Sequence, residues 1–302
     1  MLERTTLTRD LVDCQGRILA PRGTEITPRA IAEVAARTRP LAGRPLVDSV
    51  VAEDLPQAMA EPVYKHIFRL RTAQAEVARA VLAAELPGPL HDELRHLRDA
   101  DWPRYRHAVA TAAVASRMLH SALGDADAVP GLVAAALLHD LGMRHLPAGL
   151  LRSKEPLDAD GVREVAAHPL LGAWHLAAVL GRHPAVEAAL GHHWRQGRGY
   201  PRLAVAPPRS VDVVAVASAF VALTHPRPFR TVVYDARGAV DLLVADAQAG
   251  EGDVDAVKLL VHALRGAHGQ VREIRFGRQR LEHAPGEAAH PSLSRQLATA
   301  QA

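Results

Sequence analysis

The apolar run that ends at His139 and Asp140 constrains the fold more than any other stretch of the chain. Residues 132–138 have the apolar side chains of a buried helix, and the run stops at Gly142. A histidine nitrogen beside a carboxylate can hold a metal ion, and the second carboxylate oxygen can bridge to another ion. The alternative is a helix end whose His and Asp are solvated caps. Other residues must decide between the two.

The composition favours close-packed helices in a soluble, cytoplasmic protein. Hydrophobic residues make up 48% of the 302 residues and aromatic residues only 4%, so Ala, Leu and Val must build the core. The net charge is +3, with Arg interleaved among acids, which argues against a nucleic-acid polymer as partner. The single cysteine, Cys14, excludes an intrachain disulfide and favours a reducing compartment. Apolar runs fall short of the roughly 20 residues that span a membrane.

Residues 1–60 differ in pattern from the rest of the chain and predict a small accessory module. Turn formers alternate with short apolar pairs in residues 16–24, as in a hairpin. Thr27 and Pro28 predict the N-cap and first residue of a short helix that extends to Ala36. Prolines and a glycine between residues 40 and 56 predict an irregular linker.

From Pro62 onward the apolar periodicity becomes helical and predicts a mainly all-α domain over residues 61–283. The predicted helices cover residues 62–86, 105–123, 130–141, 158–167, 169–180, 184–193, 211–224, 235–247 and 254–265. Alternation in residues 271–276 predicts one short strand. Residues 284–302 are rich in Ala, Gln, Ser and Pro and predict a disordered tail.

Histidines stand at the ends of these predicted helices. They are His107, His139, His168, His192 and His193. Successive positions lie roughly one helical hairpin apart, so a bundle returns the chain to the same end each time. Imidazoles that converge there with Asp140 would supply ligands for two transition-metal ions.

These motifs, in this order, resemble the HD-GYP branch of the HD metal-dependent phosphohydrolase superfamily. The matching segments are His107-Ala108-Val109, Leu138–Gly142, Leu146-Pro147, Leu150–Lys154, His168–Gly172, His192-His193 with Gly199-Tyr200-Pro201, Ala222–Thr224 and Arg227–Arg230. The resemblance spans residues 100–265. It implies an HD-type helical bundle, preceded here by the small N-terminal module.

The resemblance also implies a function, a phosphodiesterase that acts on cyclic di-GMP or another small phosphoester. It implies two divalent transition metals, Fe or Mn, with Asp140 as the catalytic residue. The implied metal ligands are His107, His139, Asp140, His168, His192 and His193. Arg227 and Arg230 become phosphate clamps, because guanidinium forks match phosphate oxygens; the alternative is ordinary surface charge.

The Gly199-Tyr200-Pro201 loop, which names the family, carries two further expectations. The resemblance places Tyr200 at the substrate. We also expect an exposed loop that docks a signalling protein, the alternative being a plain tight turn. No nucleic-acid polymer and no membrane span are expected.

Departures from the family pattern predict an incomplete metal site. Ser218 stands where the last metal-binding Asp falls, and Met143 replaces a Lys near the substrate phosphate. Trp194 replaces the Glu after the double His, and Pro103 occupies the position of a Glu found in three-metal members. The sequence therefore predicts weak phosphodiesterase activity, or alternatively an inactive regulator that binds a cyclic dinucleotide or a signalling protein.

No residue near Ser218 is predicted to replace the missing carboxylate. Helical geometry turns Asp212 away from the direction of Ser218. His225 falls about two turns further along the same helix, roughly 10 Å away.

Overall fold

The protein is built mainly from helices in this computed structural model, which describes residues 3–195, 198–226 and 233–277. The helices are α1 (Pro28–Arg37), α2 (Val50–Met59), α3 (Arg71–Leu82), α4 (Gly88–Ala100), α5 (Trp102–Leu123), α6 (Val129–Leu138), α7 (Ala148–Leu151), α8 (Ala159–Val165), α9 (His168–Leu180), α10 (Pro184–Gly191), α11 (Arg209–Thr224), α12 (Ala236–Gln248) and α13 (Val254–Leu264). The predicted mainly all-α fold is confirmed. Within the described ranges, no helix is both long and apolar enough to cross a membrane.

The strands are short and form antiparallel pairs. They are β1 (Thr5–Thr6), β2 (Leu11–Val12), β3 (Ile18–Ala20), β4 (Glu25–Ile26), β5 (Gly43–Pro45), β6 (Glu85–Pro87), β7 (Trp194–Arg195) and β8 (Arg198–Gly199). Strand β1 pairs with β4, β2 with β3, β5 with β6, and β7 with β8. An N-terminal hairpin is present, but it pairs β3 with β2, which precedes the predicted residues 16–24.

Helix α5 occupies the centre of the bundle because its small side chains let neighbouring helices approach closely. Ala110, Ala112 and Ala115 on this helix are fully buried. Helices α6 and α11 pack along α5, and α10 packs against both α6 and α9. The ends of α6 and α10 and the start of α9 consequently meet beside α5.

The N-terminal residues pack against the helices of the bundle. The Thr27 side chain caps α1 by accepting a hydrogen bond from the Ala30 amide, and Pro28 is the first helical residue, as predicted. Trp174 on α9 donates its indole N–H to the Leu19 carbonyl at 3.1 Å. The hydrophobic core is continuous from Leu7 to Ala263 across residue 60. The division of the chain near that residue stays a prediction.

Residues 50–59 correct the prediction of an irregular linker, because they form helix α2. Ser49 caps this helix through the Val51 amide, and Pro56 lies inside it. Val51 and Leu55 are almost completely buried, and the helix packs against α5. Burial of this apolar face stabilises the helix despite the hydrogen bond that Pro56 cannot donate.

Two further predictions, a single helix over residues 62–86 and a strand at 271–276, were wrong. The helix predicted over residues 62–86 is divided into a 3₁₀ turn, Pro62–Tyr64, and α3, and the prolines at 87 and 89 begin α4 instead of ending a helix. The strand predicted at 271–276 is a 3₁₀ turn, Val271–Glu273, followed by extended backbone. Among the described residues it has no strand beside it to complete a ladder. The predicted tail, 284–302, lies outside the described residues.

Candidate metal centre

The two carboxylate oxygens of Asp140 face different pairs of histidines. Oδ2 lies 3.6 Å from Nε2 of His107 and 3.5 Å from Nε2 of His139. Oδ1 lies 3.3 Å from Nε2 of both His168 and His192. One carboxylate thus links two groups of imidazoles, the arrangement in which a carboxylate can bridge two metal ions.

A close approach of two glycines sets this geometry. Gly142 lies in the 3₁₀ turn Leu141–His145 that follows Asp140, and Gly172 lies in the first turns of α9. A Cβ on Gly142 would collide with the His168 carbonyl, and one on Gly172 would lie 2.8 Å from the Gly142 nitrogen. Only glycine lets the turn pack this closely on α9, which brings Asp140 beside His168.

Backbone carbonyls fix the orientation of three of the imidazole rings. Nδ1 of His139, His168 and His192 lies 2.7–3.0 Å from a carbonyl one turn earlier in the chain. The acceptors are Ala136, Val165, and Ala188 with Ala189. A carbonyl only accepts, so each Nδ1 must carry a proton, which leaves Nε2 as the ring atom that faces Asp140 and can bind a metal. This outer hydrogen bond is characteristic of metal-binding histidines.

The nitrogen atoms around Oδ1 are arranged so that they can bind a cation. Nε2 of His168 lies 3.2 Å from Nε2 of His192, and both lie 3.3 Å from the Asp140 oxygen. Lone pairs that face one another in a buried place repel unless a positive ion lies between them. Ligand atoms of Asp140, His168, His192 and His193 lie within 4.8 Å of one another, as do those of His107, His139 and Asp140. The residues present can therefore hold a transition metal.

The protonation states also suit metal binding. Burial alone would raise the pKa of Asp140, but the electrostatic influence of the adjacent His139, His168 and His192 side chains holds it well below its usual range. Burial lowers the pKa of His192 to about 4, and burial with the neighbouring His192 lowers that of His193 well below its usual value. At neutral pH the carboxylate is therefore ionised and these imidazoles are neutral, as metal ligation requires.

His193 packs against Tyr200 from the nearby Gly199-Tyr200-Pro201 loop. The two rings stack with centroids 4.6 Å apart and an interplanar angle of 22°. Tyr200 is only 1% exposed, and Pro201 is also buried. The expectation of an exposed loop was therefore wrong, because both side chains pack inward. Gly199 enables the turn through its positive φ of +82°, where a side chain would collide with the His193 carbonyl.

Ser218 of α11 lies between two of the histidines. Its Oγ is 3.2 Å from Nε2 of His107 and 2.9 Å from Nε2 of His139. Asp212 and His225, the two residues near Ser218 in the sequence that could have replaced the missing carboxylate, are not part of the described ligand groups. His225 instead contacts Glu61 and Tyr64.

Arg104 is a candidate site residue that the sequence patterns did not reveal. Its guanidinium pairs with Asp101 at 2.6 Å and donates to the Met143 carbonyl at 3.3 Å. Burial lowers the pKa of Arg104, Asp101 and Asp140 oppose this, and the positive charge of Arg152 adds to the lowering. A guanidinium that interacts electrostatically with Asp140 is the kind of group that binds phosphate beside a metal centre. The available signal was spacing, since Arg104 precedes His107 by one helical turn on α5.

Arg227 and Arg230, the predicted phosphate clamps, lie outside the described residues. The predicted metal ligands are all brought together around Asp140.

Two named proteins are similar to part of this chain. Over 97 residues, 31% of the chain and 22% of the relative, it is 33% identical to the 3'3'-cGAMP-specific phosphodiesterase 1 of Vibrio cholerae. Over 101 residues, 32% of the chain and 27% of the relative, it is 38% identical to the cyclic di-GMP phosphodiesterase response regulator RpfG of Xanthomonas campestris. Both relatives are named phosphodiesterases. The chain spans about a quarter of the length of each. No protein-family model matches it.

Proposed function

We propose that the chain is a metal-dependent phosphodiesterase of the HD-GYP branch and acts on a cyclic dinucleotide, cyclic di-GMP or a close relative. The division of the Asp140 oxygens between two pairs of histidines carries this proposal. The similarity to two named cyclic-dinucleotide phosphodiesterases supports the substrate class.

The proposed metals are divalent iron or manganese. Two described groups are candidates to hold such an ion, one of His107, His139 and Asp140, the other of Asp140, His168, His192 and His193. When bound, such ions lower the pKa of a coordinated water and neutralise charge that develops on the phosphodiester.

The protein's own residues contribute orientation and charge. The carbonyls behind three of the rings keep the Nε2 lone pairs aimed at Asp140. Arg104 and Arg152 would bind a non-bridging phosphate oxygen, with Arg227 and Arg230 as further proposed clamps. Tyr200 holds the plane of the His193 ring through stacking, and its contact with the substrate stays a proposal.

A second candidate function is a regulator that binds the dinucleotide without hydrolysing it. The Ser218 hydroxyl favours this alternative, because it satisfies His107 and His139 without a metal ion. A protein partner at the Gly199-Tyr200-Pro201 loop would not meet the side chains of Tyr200 or Pro201, since both are buried.

Hydrolysis and binding, measured together, test these proposals. The purified chain is incubated with cyclic di-GMP or 3'3'-cGAMP and Mn²⁺ or Fe²⁺, and linear products are separated from substrate. Product that is lost in Asp140→Asn and His168→Ala, and kept in His96→Ala on the exposed part of α4, supports the enzyme. Dinucleotide binding without product establishes the regulator. Neither binding nor product overturns both.

A further inference from the structure

We infer that the two halves of the centre bind metal unequally: Asp140, His168, His192 and His193 hold one divalent ion, while the Ser218 hydroxyl keeps the His107–His139 half free of metal. The inference rests on the proposed metal centre and specifies how many ions that centre holds.

The His107–His139 half satisfies its own hydrogen bonds. Nδ1 of His139 donates to the Ala136 carbonyl, so its Nε2 must accept, and the Ser218 hydroxyl donates to it at 2.9 Å. The hydroxyl oxygen keeps lone pairs that accept from Nε2–H of His107 at 3.2 Å. A metal ion in this half must break both hydrogen bonds. Ser218 offers no negative charge in exchange.

The opposite half differs because its facing atoms are all acceptors. The Nδ1 atoms of His168 and His192 are committed to carbonyls, so both Nε2 atoms point lone pairs at each other and at Asp140. His193 adds a fourth ligand to this group. A cation bound between these acceptor atoms relieves this repulsion.

Charge gives a second, independent reason for unequal binding. Asp140 is the only carboxylate in either described ligand group. One divalent ion leaves a net charge of about +1 in the buried centre, whereas two ions leave about +3 around the same carboxylate. The second ion therefore meets a repulsion that a further carboxylate at position 218 would offset.

Metal content and manganese electron paramagnetic resonance test the inference without measuring activity. The chain is saturated with Mn²⁺, desalted and analysed for bound metal. We expect about one ion per wild-type chain with the six-line spectrum of an isolated Mn²⁺. Ser218→Asp should raise the content to about two ions with a spin-coupled spectrum, because Asp140 then bridges them. Ser218→Ala, which removes the hydroxyl but adds no charge, should raise the content above that of the wild type but less than Ser218→Asp does.

Each other outcome overturns the inference. Two coupled ions in the wild-type chain would show that Ser218 does not exclude metal. A Ser218→Asp chain that melts like the wild type and still holds one ion would show that residue 218 does not control occupancy. No bound metal in the wild type, with His168→Ala indistinguishable from it, would overturn the proposed metal centre itself.

Discussion

The guanidinium of Arg104 donates a hydrogen bond to the backbone carbonyl of Met143 at 3.3 Å. An arginine from α5 therefore stands beside the residue that follows the His-Asp motif, where the sequence has an uncharged methionine. Its side chain is 15% exposed, enough for one edge of the guanidinium to meet a ligand. A positive charge thus remains close to Asp140.

This contact predicts that Arg104→Gln weakens cyclic di-GMP binding by about tenfold, because a charge-assisted hydrogen bond to phosphate is lost. The measurement is calorimetric titration of the dinucleotide into Mn²⁺-loaded protein. Metal content should not change, since Arg104 is not a ligand. Arg163→Gln on α8 is the matched control, because Arg163 pairs only with the exposed Asp160 in the described structure. Equal affinities for both variants and the wild type would rule out phosphate binding by Arg104.

Gly142→Ala should lower the free energy of unfolding by about 1–3 kcal/mol, because the added methyl forces the 3₁₀ turn away from α9. The same movement shifts Asp140 from His168, so bound Mn²⁺ should fall. Denaturant melts and metal analysis measure the two effects. Gly131→Ala on α6 is the control, since a Cβ there meets nothing within 4 Å. That change should be neutral or slightly stabilising, and a Gly142→Ala protein with wild-type stability would refute the close-packing argument.

Glu61 predicts a specific dependence of stability on pH. Burial alone would raise its pKa, but hydrogen bonds from His225 and Arg106 lower it to about 2, against an ordinary value of 4.5. Because the pKa is lower in the folded state, the stabilisation is fully present above pH 4.5 and is lost as the pH falls toward 2. Glu61→Gln should therefore cost about 1–2 kcal/mol at pH 7, discounted for the partial exposure of Arg106.

The pH dependence is measured as the difference between wild-type and Glu61→Gln urea midpoints at pH 7 and pH 3. That difference should shrink at the lower pH. Glu25→Gln removes the exposed pair with Arg4 and should show almost no difference at either pH. A Glu61→Gln penalty that is the same at both pH values would contradict the ion pair.

Chelation should destabilise the metal-loaded protein. An ion that binds only the folded state adds about 2.7 kcal/mol when present at 100 times its dissociation constant. Excess EDTA should therefore lower the melting temperature of Mn²⁺-loaded wild type and leave Asp140→Asn unchanged. A wild-type melting temperature that ignores EDTA, in protein shown to have contained Mn²⁺, would mean that the ion was bound elsewhere.

Sequence patterns predicted the helices that carry the site but not all of their neighbours. The His-Asp pair, the other histidines and the capping residue Thr27 were recognisable from spacing and residue type. Helix α2 was missed because Pro56 and nearby breakers outweigh its apolar positions locally, whereas burial against α5 decides the fold. The strand predicted at 271–276 failed because alternation alone supplies no pairing partner.

The side-chain contacts that define the chemistry of the site could not be predicted from local sequence patterns. The sequence showed Ser218 as a lost carboxylate, but not that its hydroxyl reaches two imidazoles from α11. In the sequence, Arg104 does not differ from other arginines near a helix start; its contact with the Met143 carbonyl is what places it at the site. Both depend on how separate helices cross, which no single segment specifies.

Sharing of Asp140 makes the two halves of the centre thermodynamically linked. If an ion in one half changes the metal affinity of the other half by some factor, an ion in that other half must change the metal affinity of the first by the same factor. A substitution that raises the metal affinity of one half through Asp140 will therefore change the metal affinity of both halves. Metal occupancy at His168 consequently depends on changes made at His107. Substitutions on α11 can in this way tune a ligand set on α9 and α10 that they never touch.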